Sequence, residues 1–309
     1  MIKSKTKGFI VAPMTSFNSD GSVDIKIIPS YAEFLRSNGV VGAFVNGTTG
    51  EGFSLTVEER KATAEAWVNA VPAEFKVLVH ISHTCVVSTG EMAQHAAEIG
   101  ASGIGEMGPI FYKPNSVEEL AEYAAQTAVN APELAYYYYH MPSMSGVCFG
   151  MLDFLRAAEV KIPNLAGIKY TYEDMLDFEL CCEFDEGRYD ILYGRDETLL
   201  CSLALGCRGA VGSTYNIMTP LYIQLVEAFD LGDLIEARRL QGISMKVIKL
   251  LAGTGCFNSA LKTVMNMIGL DLGGVRSPLR NIEADKKTEL EKGIKELGFF
   301  EYCSRQSSV

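Results

Sequence analysis

The chain alternates between strand-like and helix-like segments for most of its length. Eight short runs are rich in apolar and aromatic residues, and each is followed by a stretch with helical spacing of apolar residues. Near-continuous hydrophobicity is typical of strands covered on both faces, and strand–helix alternation requires parallel pairing through crossovers. We therefore predict an α/β protein with a (β/α)8 TIM barrel. The predicted strands are 8–15, 42–48, 76–82, 103–109, 135–141, 165–171, 189–196 and 209–216.

Three predicted helices begin with an S/T-x-x-E pattern, which supports this alternation. The patterns start at Thr56, Ser88 and Ser116, each a few residues after a predicted strand. In a capping box the hydroxyl accepts a hydrogen bond from the backbone three residues later, and the glutamate returns one. We therefore expect helix starts at all three positions.

The pattern changes after the eighth predicted strand, because only helical segments follow residue 219. The predicted helices are 221–229, 234–251, 257–267 and 284–297. The first completes the barrel, and the others form an appendage packed on it. We predict a barrel at 1–231 and a C-terminal helical extension at 232–309.

Composition and charge exclude several classes of partner. With 48% hydrophobic and 21% charged residues, the 309-residue chain has a soluble composition and no apolar run long enough to span a bilayer. A formal net charge of -11 argues against nucleic acid and anionic membrane surfaces, since both need a basic face. The first residues lack the long apolar core of a secretory signal, so we expect a cytoplasmic protein.

Cysteine and histidine spacing gives no metal-binding pattern. The eight cysteines form no C-x-x-C pair and the four histidines are scattered, so we expect reduced thiols and no structural zinc. The apolar or strand-end surroundings of Cys85, Cys148, Cys201 and Cys207 predict core positions for these thiols.

The functional groups of such a barrel lie where strands end, and Lys169 ends the apolar run of the sixth predicted strand. Burial at that position favours the uncharged amine, which can attack a carbonyl carbon. A lysine that extends to solvent is the simpler alternative, but a buried strand argues against it. Thr171 follows Lys169 at the same end.

The second predicted strand runs into residues 46–52, NGTTGEG. The hydroxyls of Thr48 and Thr49, with glycines that permit close approach to the backbone, can hold a carboxylate. A loop that only turns the chain is the alternative. The segment is not a phosphate loop, since it lacks the order G-x-x-x-x-G-K-[ST].

Four consecutive tyrosines occupy 136–139 in the fifth predicted strand. Alternation directs two of them into the barrel and two outward. Tyr139 lies nearest the strand end, which is the best place to exchange a proton with a bound molecule. Core packing with a satisfied hydroxyl is the alternative for each tyrosine.

Polar residues also end the last two predicted strands. Asp196 and Glu197, after Gly194, can accept hydrogen bonds from a polyol or can cap the next helix. Ser213 adds a hydroxyl at the end of the eighth strand, unless it only forms a turn.

Together these motifs resemble the pyruvate-dependent class I aldolases of the dihydrodipicolinate synthase and N-acetylneuraminate lyase family. The resemblance rests on GTTGE at 47–51, on Tyr139 followed by Pro142, and on GIK at 167–169. It covers essentially the whole barrel in the same order.

Further features resemble the lyase branch of that family, among them segments 137–142 and 212–216. Met144 stands where the synthases usually carry an arginine for the second substrate's carboxylate. Phe111, with Tyr112 adjacent, stands where the synthases offer a tyrosine from a neighbouring subunit.

The resemblance implies retro-aldol cleavage of a sialic acid, N-acetylneuraminate, to N-acetylmannosamine and pyruvate. It implies a Schiff base on Lys169, proton transfer by Tyr139, and a carboxylate held by Thr48 and Thr49. It also implies a homotetramer and no metal or organic cofactor, because the imine itself accepts the electrons. The residues implied for the hydroxylated part of the substrate are Thr171, Gly194, Asp196, Glu197 and Ser213.

Two alternatives stay open on the sequence alone. A dihydrodipicolinate synthase, or another 2-keto acid aldolase, would use the same lysine and differ in its second substrate. A catalytically silent barrel that only binds a keto acid would not need Lys169 and Tyr139 together with both threonines.

Overall fold

Eight parallel strands close into a barrel in sequential order, which confirms the predicted (β/α)8 fold. The computed structural model describes residues 5–306. Each strand ends before its predicted C-terminal bound, because the last residues of each predicted run belong to the loops at the barrel mouth. The strands are β1 Gly8–Val11, β2 Val40–Val45, β3 Lys76–His80, β4 Gly103–Met107, β5 Ala135–His140, β6 Leu165–Tyr170, β7 Asp190–Tyr193 and β8 Gly209–Gly212.

Helices connect the strands, cover the outside of the barrel and form the C-terminal segment as predicted. None of those between residues 5 and 306 has the length and apolarity that a membrane span requires. The helices of this range are α1 Ile28–Ser37, α2 Val57–Ala70, α3 Val86–Glu98, α4 Val117–Ala128, α5 Pro142–Ser145, α6 Met151–Ala158, α7 Met175–Gly187, α8 Leu199–Ala204, α9 Tyr215–Asp230, α10 Leu234–Gly253, α11 Phe257–Met267 and α12 Ala284–Glu296.

The division into a barrel at 1–231 and an extension at 232–309 stays a prediction. Residues 1–4 and 307–309, at the two ends of that division, lie outside the described residues. Helices α10 and α11 pack against α9, so the C-terminal helices continue directly from the last barrel helix.

The three predicted capping boxes have different outcomes. At Thr56 the box is complete, because its hydroxyl accepts from the Glu59 N–H at 3.1 Å and the Glu59 carboxylate accepts from the Thr56 N–H at 2.9 Å. Ser116 caps α4, but the glutamate three residues later accepts from the residue before the serine. The prediction for Ser88 is wrong, because α3 already begins at Val86.

Side-chain alternation divides the core into two layers. Phe44, Tyr137 and Tyr139 belong to the cluster inside the barrel, whereas Tyr136 and Tyr138 pack between the strands and the outer helices. The predicted split of the four tyrosines is confirmed. Of the inward pair, Tyr137 lies lower in the barrel and donates a hydrogen bond to the Asp190 carboxylate at 3.0 Å, which leaves Tyr139 at the mouth.

The eight cysteines are free thiols. Cys207 is buried as expected, but the predicted core positions of Cys85, Cys148 and Cys201 are wrong because these residues are exposed. Cys85 directly precedes α3, Cys148 lies between two short helices, and Cys201 is on the solvent side of α8. Local apolar neighbours in sequence do not decide which side of an element faces solvent.

Candidate active site

An open pocket of about 460 Å³ lies at the C-terminal ends of the barrel strands. Parallel closure brings together segments of the chain that are far apart in sequence. The predicted residues that line this pocket are Thr48, Thr49, Tyr139, Lys169, Thr171, Gly194, Asp196, Glu197 and Ser213. Helices α10 and α11 complete the wall with Ile248, Ala252, Phe257 and Asn258.

An irregularity in the pairing of β5 with β6 sets the direction of Lys169. Tyr136 pairs with Leu165, whereas Tyr137 pairs with Gly167, so one residue of β6 is left without a partner in the ladder. Such a bulge changes the alternation of side chains on its own strand. Lys169, which pairs with an inward-facing tyrosine of β5, therefore extends into the barrel rather than toward the helices.

The Lys169 amine lies between two aromatic rings at the barrel mouth. Only 4% of the residue's surface is exposed. Its Nζ is 4.1 Å from the ring centroid of Phe44 and 3.9 Å from that of Tyr139. The two rings fix the position of the amine by packing on either side of it. The amine is thus presented to the pocket from a rigid strand.

Tyr139 places its hydroxyl at the same end of the barrel. The Oη atom lies 3.4 Å from the Thr48 Oγ1 and 2.9 Å from the Met141 Sδ. A thioether is a weak acceptor, so the phenolic hydroxyl can exchange this contact for a hydrogen bond to a better acceptor. The arrangement joins the loop after β2 to the end of β5.

His80 is buried beneath this cluster and is not arranged as a metal ligand. Its Nδ1 lies 3.0 Å from the carbonyl oxygen of Asn46. Burial lowers the pKa of His80 well below its usual value, and the nearby cations Arg60 and Lys169 lower it further. The imidazole is therefore neutral. Among residues 5–306, no three His, Cys, Asp or Glu side chains are grouped to bind a metal ion.

The loop at 46–52 contains two non-glycine residues with left-handed backbone conformations. Asn46 and Glu51 have φ values of 62° and 54°, in the left-handed region that non-glycine residues seldom adopt. Thr49 Oγ1 and Ser213 Oγ are 2.6 Å apart, which links this loop to the end of β8. The hydroxyls of the two strand ends thus lie side by side in the pocket.

The carboxylates on the other side of the pocket have different surroundings. Asp196 Oδ2 accepts from the Thr214 N–H at 2.8 Å and from its hydroxyl at 2.7 Å. Its Oδ1 is buried and has no partner within residues 5–306. Burial raises the pKa of Asp196 to about 6. Glu197 instead forms an ion pair with Arg195 at 2.9 Å. Asp196 therefore keeps one oxygen for a further donor.

Thr171 and Gly194 pack closely against each other at the ends of β6 and β7. The Thr171 hydroxyl is buried, and it has no partner in the part of the chain that the structure describes. A side chain at position 194 would place its Cβ 1.9 Å from that hydroxyl oxygen. Glycine at position 194 is therefore what allows the Thr171 side chain to take this position.

Sequence reasoning missed several residues of the pocket. Phe44 contacts the lysine amine, and Met141 contacts the tyrosine hydroxyl. Asn258 reaches the pocket from α11, although nothing in its local sequence distinguishes it. The alternation of side chains along β2 would have predicted that Phe44 faces the barrel interior. The position of Asn258 depends instead on how the C-terminal helices pack against the barrel mouth.

The sequence matches the dihydrodipicolinate synthetase family over residues 5–297. The chain belongs to this family. A mouse N-acetylneuraminate lyase is 38% identical over 96% of this chain and 94% of its own length. The structure of a Proteus mirabilis N-acetylneuraminate lyase superposes with a TM-score of 0.93, at 40% identity over 96% of this chain and all of that one. An Aliivibrio salmonicida N-acetylneuraminate lyase also has a TM-score of 0.93, at 37% identity over 96% of this chain and 98% of its own.

Met144 and the Phe111–Tyr112 pair, at which the sequence departs from the synthases, lie in different parts of the structure. Met144 lines the pocket, and it offers an apolar side chain there. Phe111 and Tyr112 do not line it in the single chain, where 75% and 84% of their surfaces are exposed. Their contribution from a neighbouring subunit stays a prediction.

We expect Gly212→Ala to destabilise the protein, because a Cβ at position 212 would lie 1.7 Å from Asp196 Oδ1. The carboxylate would have to leave both hydrogen bonds from Thr214, at a cost of about 2–4 kcal/mol. Urea unfolding measures the loss. As a control, Gly242→Ala meets no atom within 4 Å and lies inside α10, so it should stabilise by up to about 1 kcal/mol. Equal stability of Gly212→Ala and wild type would mean that Asp196 is not fixed.

Proposed function

We propose that this protein is an N-acetylneuraminate lyase, which cleaves N-acetylneuraminate to N-acetylmannosamine and pyruvate through a Schiff base on Lys169. The observation that carries the proposal is the buried Lys169 amine, which shares one pocket with the Tyr139 hydroxyl and the Thr48 and Thr49 hydroxyls. Full-length similarity to proteins named N-acetylneuraminate lyase supports the choice of substrate.

The reaction begins when the neutral amine of Lys169 attacks the C2 ketone of the open-chain sugar acid. Loss of water from the carbinolamine gives a protonated imine, which accepts electrons more readily than the ketone. The strand and the flanking rings of Phe44 and Tyr139 hold the amine in place. The lysine side chain therefore loses little conformational entropy when it attacks the ketone.

Cleavage of the C3–C4 bond follows, and it requires that the C4 hydroxyl lose its proton. The bonding electrons pass to the imine and give an enamine, while C4 becomes the aldehyde of N-acetylmannosamine. Tyr139 transfers the proton between the C4 side and the enamine carbon, by way of the substrate carboxylate. Protonation of the enamine and hydrolysis of the resulting imine release pyruvate and restore Lys169.

Binding groups divide between the two ends of the substrate. Thr48 and Thr49 hold the carboxylate, since their loop lies beside the Tyr139 hydroxyl. Asp196 lines the pocket, and its Oδ1, which has no partner within residues 5–306, is the acceptor we assign to a substrate hydroxyl. Thr171, Gly194, Glu197 and Ser213 line the same pocket and face the hydroxylated chain.

A different 2-keto acid aldolase with the same lysine is the second candidate. Its synthase form needs a cation for the carboxylate of the second substrate, and Met144 in the pocket offers none. The lyase is therefore the better proposal.

We further propose a homotetramer in the cytoplasm, as the family resemblance implies. Exposed Phe111 and Tyr112 are candidates for burial against a neighbouring subunit.

We predict that borohydride added with pyruvate will attach a reduced pyruvyl group to Lys169, because reduction converts the imine on this lysine into a stable secondary amine. Peptide mapping by mass spectrometry identifies the modified residue. Lys262 provides an internal control, since it is also buried but is paired with Glu51 at 3.0 Å. An unmodified Lys169, or equal labelling of both lysines, would contradict the mechanism.

We predict that Tyr139→Phe will lower kcat by roughly 10²–10⁴-fold, the usual range for losing an acid–base group. Imine formation with pyruvate, followed by borohydride trapping, should change little. Tyr137→Phe is a matched control on the same strand, because its hydroxyl contacts Asp190 and lies outside the pocket. A parallel loss of turnover and trapping in Tyr139→Phe would contradict the proton-transfer role.

A further inference from the structure

Helix α11 contacts the loop at 46–52 from outside the barrel. The Glu51 carboxylate accepts a hydrogen bond from Lys262 Nζ at 3.0 Å and another from the backbone N–H of Arg276 at 2.9 Å. One turn earlier on α11, the Asn258 amide donates long hydrogen bonds of 3.4 Å to the carbonyl oxygens of Thr48 and Thr49. Helix α11 thus contacts both threonines and Glu51, near the C-terminal end of the loop.

The ion pair between Glu51 and Lys262 is almost completely buried, with side-chain exposures of 1% and 2%. A buried pair of charges gives little net stability over an apolar pair of the same size, because both ions lose their hydration. What such a pair does supply is a defined geometry. Its position at the end of the loop that lines the pocket indicates that geometry is its role here.

The backbone of the loop needs such support. Asn46 and Glu51 both adopt the left-handed conformation, which is costly for non-glycine residues and persists only when surrounding contacts enforce it. Lys262 also donates to the carbonyl oxygen of Gly274 at 2.5 Å, so its position is itself fixed by the segment after α11. The contacts therefore form a continuous chain from the C-terminal segment to the pocket.

We propose that α11 is a positioning element for the substrate carboxylate, in which Asn258 and Lys262 hold the 46–52 loop so that Thr48 and Thr49 present their hydroxyls to the pocket. The proposal rests on the proposed function, because it assumes that these hydroxyls bind the carboxylate of pyruvate. Glu51 and Lys262 lie outside the pocket and act on the substrate through the two threonines, whereas Asn258 holds the threonine carbonyls and also lines the pocket.

The test measures how much pyruvate is needed for half-maximal borohydride labelling of Lys169. Pyruvate contains the carboxylate and the ketone but no sugar chain, so the assay reports on this end of the pocket alone. We expect Glu51→Gln to raise the half-maximal pyruvate concentration at least about tenfold, because the buried ammonium of Lys262 loses its counter-ion and the loop loses its anchor. The maximal extent of labelling should be unchanged.

Asn258→Ala provides a second variant that leaves no buried charge, so it folds even where Glu51→Gln does not. We expect a rise of about threefold to tenfold in the same pyruvate concentration, with an unchanged near-ultraviolet circular dichroism spectrum. Glu289→Gln is the matched control, because it breaks an exposed ion pair with Lys286 on α12, in the same C-terminal part of the chain, and neither residue contacts the loop. The control should stay within about twofold of wild type.

The outcomes separate this inference from the proposed function. If wild type is labelled and Asn258→Ala needs no more pyruvate than Glu289→Gln does, the positioning role is wrong while the Schiff base stands. If wild type is not labelled at Lys169, the proposed function fails and the inference fails with it. A raised pyruvate requirement in Asn258→Ala with full maximal labelling supports positioning, since mere destabilisation would lower the labelled fraction instead.

Discussion

The pairing of β5 with β6 determines where the Lys169 amine lies. One unpaired residue in β6 changes the side-chain alternation, so that the lysine extends into the barrel beside Tyr139. Without that shift, strict alternation would direct the amine toward the outer helices. The roles proposed for the hydroxyls and carboxylates of the pocket all depend on an amine in this position. A local irregularity in hydrogen bonding therefore controls the chemistry of the whole barrel mouth.

Most ionisable side chains around the Lys169 amine are either neutral or paired with an opposite charge. His80 is neutral because it is buried near two cations, and Glu197 is paired with Arg195. Asp196 is the carboxylate that keeps a buried oxygen without a partner among residues 5–306. A substrate hydroxyl that donates to this oxygen would gain a charge-assisted hydrogen bond. Selectivity for a hydroxylated chain can thus arise from one side chain.

Much of the fold was predictable from the sequence, because hydrophobic runs and turn residues are local signals. The ends of eight strands lead to one barrel mouth, so the nine predicted pocket residues could be grouped from topology alone. The bulge in β6 was not predictable, since it depends on register with the neighbouring strand. The start of α3 at Val86 and the exposure of Cys201 also depend on packing beyond the local pattern. For the same reason, Asn258 could not be assigned to the pocket without knowing the path of the C-terminal helices.

The central claim is that the pocket cleaves a sialic acid, and the most direct measurement is pyruvate release from N-acetylneuraminate by the purified wild-type protein. We expect pyruvate and N-acetylmannosamine to appear in equal amounts. We also expect no consumption of pyruvate when aspartate semialdehyde is supplied as its partner. Absence of pyruvate release, or condensation with aspartate semialdehyde in its place, would contradict the proposed function.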